Sequence, residues 1–343
     1  MKIEKIKEKL KSESYDFLRT NEHLGNNIIL LGLGGSHAYG TDTETSDLDI
    51  RGCALNRKDE ILVPTHNFDQ VVEETTDTTI YSFNKLVSLL TNCNPNTIEI
   101  LGLRPEHYIY IHPIGRELLN NAGLFLSKKA VYSFGGYATG QSRRLDNKAA
   151  RKLGLEERMK HVLNSIMNAF YTFPDKYFQF PDDAIKLYID KGVHEDYETE
   201  VFMDIQLKHY PLNDYQGMWA EMKSIVKDYS KIGKKDKHAI EPDKLGKHMC
   251  HLVRLYLMCF DILEKGKIIT YRENDHELLM DLRNGKYLDE NCQPIPEFFE
   301  MIDELEKRLK YDAENTSLPD KPDYKSIEEF VASVNERIIL GEI

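Results

Sequence analysis

The most constraining feature is a run that starts at residue 28: Ile-Ile-Leu-Leu-Gly-Leu-Gly-Gly-Ser-His-Ala-Tyr-Gly-Thr, followed by Ser46-Asp47-Leu48-Asp49-Ile50-Arg51-Gly52. Its apolar half, ended by paired glycines, reads as a buried strand entering a tight turn. Glycine lacks a Cβ, so the backbone N–H groups of Gly34-Gly35-Ser36 can approach a phosphate closely, and the Ser36 hydroxyl can donate to it. A helix beginning near Ser36 would add positive potential at the same point.

The second half reads as a strand over Asp47 to Leu55. Side chains alternate across a strand, so Asp47, Asp49 and Arg51 share one face while Leu48 and Ile50 share the other. Two carboxylates side by side repel unless a cation lies between them. Mg²⁺ is a hard cation, commonly held by one or two carboxylates together with substrate phosphates. The D-x-D spacing therefore suits a metal clamp beside a phosphate-binding turn.

The flanking elements complete an α/β module. The spacing of Ile3, Ile6, Leu10, Tyr15 and Leu18 predicts a helix over 3–21. Strands are expected over Phe68 to Glu74 and Asp77 to Ser82. A helix capped by Ser82 or Asn84 should reach Thr91, and another should run from Asn94 to Leu101. Beyond about residue 115 alternation fades, and helices are expected at 127–150, 156–171, 182–192, 197–208, 213–230, 241–265, 274–284, 296–314 and 324–338. The expected class is α+β (α/β), a sheet module over 1–115 followed by a mostly helical region over 116–316. Residues 317–343 then supply a proline-bearing linker, Ser317 to Asp323, and a last helix.

In the helical region, Tyr137, Gln141, Arg144 and Lys148 fall on one helix face, in the most basic neighbourhood of the chain. That face reads as a wall receiving an NTP or a nucleic-acid backbone, or equally as a solvated surface. Lys247, His251 and Arg254 stack along a second helix whose other face is apolar. Basic groups on a largely buried helix need counter-charge, which a triphosphate could supply.

Composition sets outer limits. Among 343 residues, 41% are hydrophobic and 30% charged, as in ordinary globular proteins, and the net charge of −12 argues against indiscriminate nucleic-acid binding. Five scattered cysteines include no CxxC pair, so no disulfide framework or zinc ribbon is expected. No apolar run is long enough to span a bilayer. No apolar signal-like segment opens the chain, so no membrane partner and a cytoplasmic location are expected.

The string GSHAYGT…SDLDIRG resembles the nucleotidyltransferase signature of the DNA polymerase β superfamily, G-[GS]-S followed by D-x-D. More narrowly it is similar to the RlaP/YcgL-like predicted nucleotidyltransferases, some of them associated with RNA repair. The segments Asp77-Thr-Thr-Ile-Tyr-Ser-Phe-Asn-Lys-Leu, Asn94-Pro-Asn-Thr-Ile-Glu-Ile-Leu, Gly136-Tyr-Ala-x-x-Gln-x-x-Arg144 and Lys247-His-x-x-His-Leu-x-Arg-Leu255 agree with that group.

The resemblance implies transfer of a nucleoside monophosphate from an NTP (ATP included) to an acceptor hydroxyl, with release of pyrophosphate. It implies two Mg²⁺ (or Mn²⁺) ions held by Asp47, Asp49 and a third acid. Asp77 is the candidate for that acid and Glu74 its competitor. Gly35, Ser36, Arg51, Gln141, Arg144, Lys247, His251 and Arg254 are the candidate nucleotide contacts. Glu99 is expected behind the site, orienting Arg51 or another basic residue. An RNA 3′ end is the first acceptor, with a protein hydroxyl (AMPylation-like) or a small molecule as alternatives. A non-catalytic nucleotide- or RNA-binding module is the reading from another class.

Overall fold

The computed structural model describes residues 3–150, 155–177, 180–181, 183–194, 199–230 and 242–343. The chain divides into two compact units. One comprises 1–140, 250–282 and 297–343, and the other 141–249 and 283–296.

The first unit is built on a five-stranded sheet of β1 (Ile28–Leu33), β2 (Ile50–Ala54), β3 (Gln70–Glu73), β4 (Thr78–Ser82) and β5 (Tyr108–Ile111), in the order β3-β4-β2-β1-β5. Every residue of β1 is buried, as the apolar run requires of a strand with other strands on both edges. β2 pairs antiparallel with β1 but parallel with β4, in the register Ile50↔Thr78 and Arg51↔Thr79. That parallel pair brings Asp49 and Asp77, each one residue before the register, to the same end of the sheet. The Phe83–Leu90 helix follows β4 directly, with the Ser82 hydroxyl accepting from the Lys85 N–H at 3.2 Å. Its buried residues Phe83, Leu86, Val87 and Leu90 join one core with the sheet and with Leu255, Met258, Cys259 and Ile262 of the Pro242–Lys265 helix.

The second unit has its own core. Val162, Ile166 and Phe170 pack with Phe173, Phe180, Met218, Met222 and Ile225. Against them lies an antiparallel hairpin of β6 (Ile185–Lys191) and β7 (Thr199–Ile205).

Several expectations need correction. The predicted opening helix is broken: Ile3–Lys9 is helical, a 3₁₀ turn covers Glu13–Tyr15, and Phe17–Thr20 resumes. The spacing of Leu10, Tyr15 and Leu18 does not sustain one helical face, and Arg19 Nη1 caps the interruption by donating to the Leu10 carbonyl at 2.8 Å. The acid-bearing strand begins at Ile50, not Asp47. The predicted helices at 182–192 and 197–208 are β6 and β7. Ile185, Leu187 and Ile189 alternate with Lys186, Tyr188 and Asp190, a two-residue period that fits one packed and one open sheet face. β5 was not anticipated. Lys58–Leu62, Pro113–Asn120 and Phe173–Lys176 are further helices not anticipated, and the helix expected from Asn94 to Leu101 is Pro95–Ile98 followed by a 3₁₀ turn over Glu99–Gly102. Other helices fall where they were expected, including Lys129–Ala150, Leu155–Phe170, Leu212–Ser230, Pro242–Lys265, Pro296–Asn315 and Tyr324–Leu340. Among the described residues no helix is long and apolar enough to cross a membrane.

Candidate active site

The glycine turn forms as the sequence requires. Gly34 donates its N–H to the Asp49 carbonyl at 2.9 Å, tying the turn to the approach of β2. Gly35 then adopts φ +53, and a Cβ there would overlap the Asp49 carboxylate. The left-handed backbone and the absence of a side chain are both needed, so that Asp49 can lie over the turn. A five-residue helix, Gly35–Tyr39, follows and ends at Gly40, with φ +74. Ser36, its second residue, is half-buried.

Asp49 and Arg51 share a face, with Arg51 Nη2 3.4 Å from Asp49 Oδ1. Arg51 also reaches across to β4: Nη1 donates to the Asp77 carbonyl at 2.7 Å, and Nη2 lies 3.3 Å from Asp77 Oδ1. Asp77 itself is left-handed, with φ 45 and ψ 48, a conformation aspartate tolerates better than most side chains. Burial and a hydrogen bond to the Asp77 carboxyl push the Asp49 carboxyl up to about 7, against the opposing pull of Arg51. Two carboxylates this close together form a site short of positive charge. Asp47 is exposed, two residues before Asp49, and adds to the repulsion. Glu74 lies in the short turn before Asp77, and no contact brings it to Asp49.

No group of three or more His, Cys, Asp or Glu among the described residues is gathered to hold a metal ion. The donor chemistry at Asp49 and Asp77 nevertheless fits a hard divalent cation: oxygen ligands that repel each other. Arg51 bridges the two carboxylates.

Behind the turn, Tyr39 is buried and Arg254 stacks on it, its guanidinium carbon 3.3 Å from the ring centroid. Arg254 Nη2 donates to His251 Nδ1 at 2.7 Å, while its Nε is buried without a partner. Burial first, and Arg272 second, lower the Arg254 guanidinium to about 9. His251 meets the Tyr137 ring edge-on, centroids 5.7 Å apart. Lys247 is exposed and belongs to the second unit. Gln141 and Arg144 lie on the Lys129–Ala150 helix, but their side chains lie outside the described residues. Glu99 does not orient Arg51. It is buried, and burial alone pushes its carboxyl up to about 8.

Sequence reasoning missed the residues that support the turn. A Cβ on Gly40 would run into the Tyr271 ring, Arg272 donates its N–H to the Tyr39 carbonyl at 3.1 Å, and its guanidinium forms a buried ion pair with Asp261. The only local signal was Gly40. His37, expected in the phosphate turn, is buried, its Nδ1 lies 3.2 Å from Asp42 Oδ2, and its Nε2 has no partner.

Residues 6–172 match the family model described as RlaP, RNA repair pathway DNA polymerase beta family. Over that span the chain is similar to RlaP-family proteins. The RlaP match takes in the glycine turn, the D-x-D acids, Arg51 and Asp77, and thus the whole sheet module. Lys247, His251 and Arg254 lie beyond it. No curated protein and no solved structure gives a significant match. The RlaP family is one of polymerase β-type nucleotidyltransferases in RNA repair, and enzymes of that type generally use divalent metals.

Proposed function

We propose that this chain is a metal-dependent nucleotidyltransferase that moves a nucleoside monophosphate from an NTP to an RNA 3′ hydroxyl and releases pyrophosphate. The observation that carries this reading is the Asp49–Asp77 carboxyl pair, set over the Gly35 turn by the parallel pairing of β2 and β4.

In this reading Asp47, Asp49 and Asp77 hold two Mg²⁺ (or Mn²⁺) ions, which supply positive charge to the attacking and leaving oxygens when bound. The N–H groups of the turn and the Ser36 hydroxyl bind the phosphates. Arg51 keeps the two acids in register and would offer its guanidinium to phosphate oxygens. Asp77, the more exposed of the two, accepts the proton of the acceptor hydroxyl. Arg254, held by His251, supports the turn through Tyr39 and offers buried positive charge to the triphosphate. Gln141, Arg144 and Lys247 are further candidate nucleotide contacts.

A second reading is a non-catalytic nucleotide- or RNA-binding module. It draws on the Arg51 bridge, which already sets a positive charge between the two carboxylates.

The test offers the chain each α-labelled NTP with Mg²⁺ or Mn²⁺, with single-stranded RNA and the chain itself as acceptors. Label on RNA that disappears in Asp49→Asn and Asp47→Asn supports the proposal. Label on the protein moves the acceptor to a protein hydroxyl. NTP binding without transfer to RNA or protein favours a small-molecule acceptor or the binding module. Transfer at native rates by folded Asp49→Asn would rule out the assigned acids.

A further inference from the structure

The Leu212–Ser230 helix of the second unit carries two distinct faces. Met218, Met222 and Ile225 are buried in that unit's core, so the helix has already satisfied its packing. On the other side Tyr215 and Trp219, one turn apart, remain open to solvent at 40% and 49% exposure. Their rings are nearly parallel, 15° apart, with centroids separated by 6.2 Å. Lys223, one further turn along the same face, is also exposed. Of the helix's carboxylates Asp214, Glu221 and Asp228, Glu221 is engaged, accepting from Lys176 Nζ and Tyr177 OH at 2.6 Å each. In this unit Lys and Arg balance Asp and Glu in number, so the acidic surplus of the chain lies in the first unit.

We propose that Tyr215 and Trp219 form a stacking platform for the bases of single-stranded RNA, with Lys223 meeting the backbone. Two open, nearly parallel aromatic rings one helical turn apart match the way unpaired bases are held without sequence preference, and a flanking cation meets the phosphate between them. Charge favours this occupant: the platform lies on the part of the chain that does not repel a polyanion. Exposed Leu212 and Val226 border the platform and would serve a protein partner instead, which the test separates. The proposal deepens the acceptor assignment made above and rests on it only for the choice of RNA.

Trp219 is the only tryptophan of the chain, so its fluorescence reports on this face alone. Titration of the full-length chain with single-stranded RNA of about 12 nucleotides should quench that emission to saturation. Tyr215→Ala should weaken binding about ten-fold while Tyr215→Phe retains it, and Lys223→Glu should weaken it and flatten its salt dependence. Binding of end-labelled RNA, followed by anisotropy, should fall likewise in Trp219→Ala. Unchanged Trp219 emission while labelled RNA binds would overturn the platform, as would absence of RNA binding altogether. Emission that shifts with protein concentration and ignores RNA would also overturn it, in favour of a second copy on this face.

Asp49→Asn separates this proposal from the catalytic one. Quenching retained with transfer lost supports both. Quenching with no transfer to RNA in the unaltered chain leaves the platform standing and removes the acceptor assignment. Transfer to RNA without quenching does the reverse.

Discussion

Arg51 Nη1 donates to the carbonyl oxygen of Asp77 at 2.7 Å, while Nη2 lies between the carboxylates of Asp49 and Asp77. One guanidinium thus fixes both the backbone of the left-handed residue and the separation of the two acids. Lysine supplies a single point charge and cannot make these contacts together. Arg51→Lys should lower kcat for pyrophosphate release by about 10- to 100-fold, the worth of one or two charge-assisted hydrogen bonds. Thermal stability should hardly change. A native kcat would show that the bridge is dispensable.

Gly35 tests the turn in the same way. Alanine must adopt φ +53, at a cost of about 1–2 kcal/mol, and its Cβ must displace the Asp49 carboxylate. Gly35→Ala should therefore reduce turnover on the order of a hundred-fold, as displacement of a reacting group does. The loss of melting temperature should remain modest. Parallel measurements of melting and pyrophosphate release distinguish local displacement from unfolding.

Glu99 gives the chain a pH-dependent cost. Its carboxyl is held protonated up to about 8 by burial, against an ordinary value near 4.5. The folded state therefore binds more protons than the unfolded state between those values, and stability must fall as pH rises through that window. The stability present below pH 4.5 is lost by about pH 8, an effect on the order of a few kcal/mol. Glu99→Gln should remove this slope. Melting curves from pH 5 to 9 should show the wild-type chain declining more steeply than the variant, which keeps the decline below about pH 7 that the raised Asp49 carboxyl contributes, and equal slopes would show that Glu99 is not a source.

Arg254 is buried against the Tyr39 ring and hydrogen-bonded to His251, with no carboxylate partner among the described residues. Removing a buried, uncompensated charge need not destabilise a protein. Arg254→Met should leave the melting temperature of the NTP-free chain unchanged or raised, while KM for the NTP rises about ten-fold, equivalent to about 1.4 kcal/mol. A lowered melting temperature with native KM would make the guanidinium a packing group only.

Short-range pattern made much of this protein legible. The apolar run before paired glycines dictated a buried strand and a tight turn, because Gly34 and Gly35 permit an approach no other residue permits. The D-x-D-x-R alternation set Asp49 and Arg51 on one face, since side chains on extended backbone must alternate. Long amphipathic helices such as Pro242–Lys265 were equally plain, as their periodicity runs over many turns.

Pairing between distant segments was decided by the tertiary structure. Asp77 meets Asp49 because β2 and β4 run parallel in one register, and nothing near residue 77 encodes that partner. The Tyr271 and Arg272 supports of the turn come from more than 200 residues away. The β6–β7 hairpin was misread because its short alternating segments become strands only by pairing with each other and covering the second core. Local sequence fixes what a segment can be, through backbone sterics and side-chain periodicity. Which segments meet depends on the burial gained across the whole chain, and that is where the carboxyl pair, its guanidinium bridge and the raised Glu99 carboxyl originate.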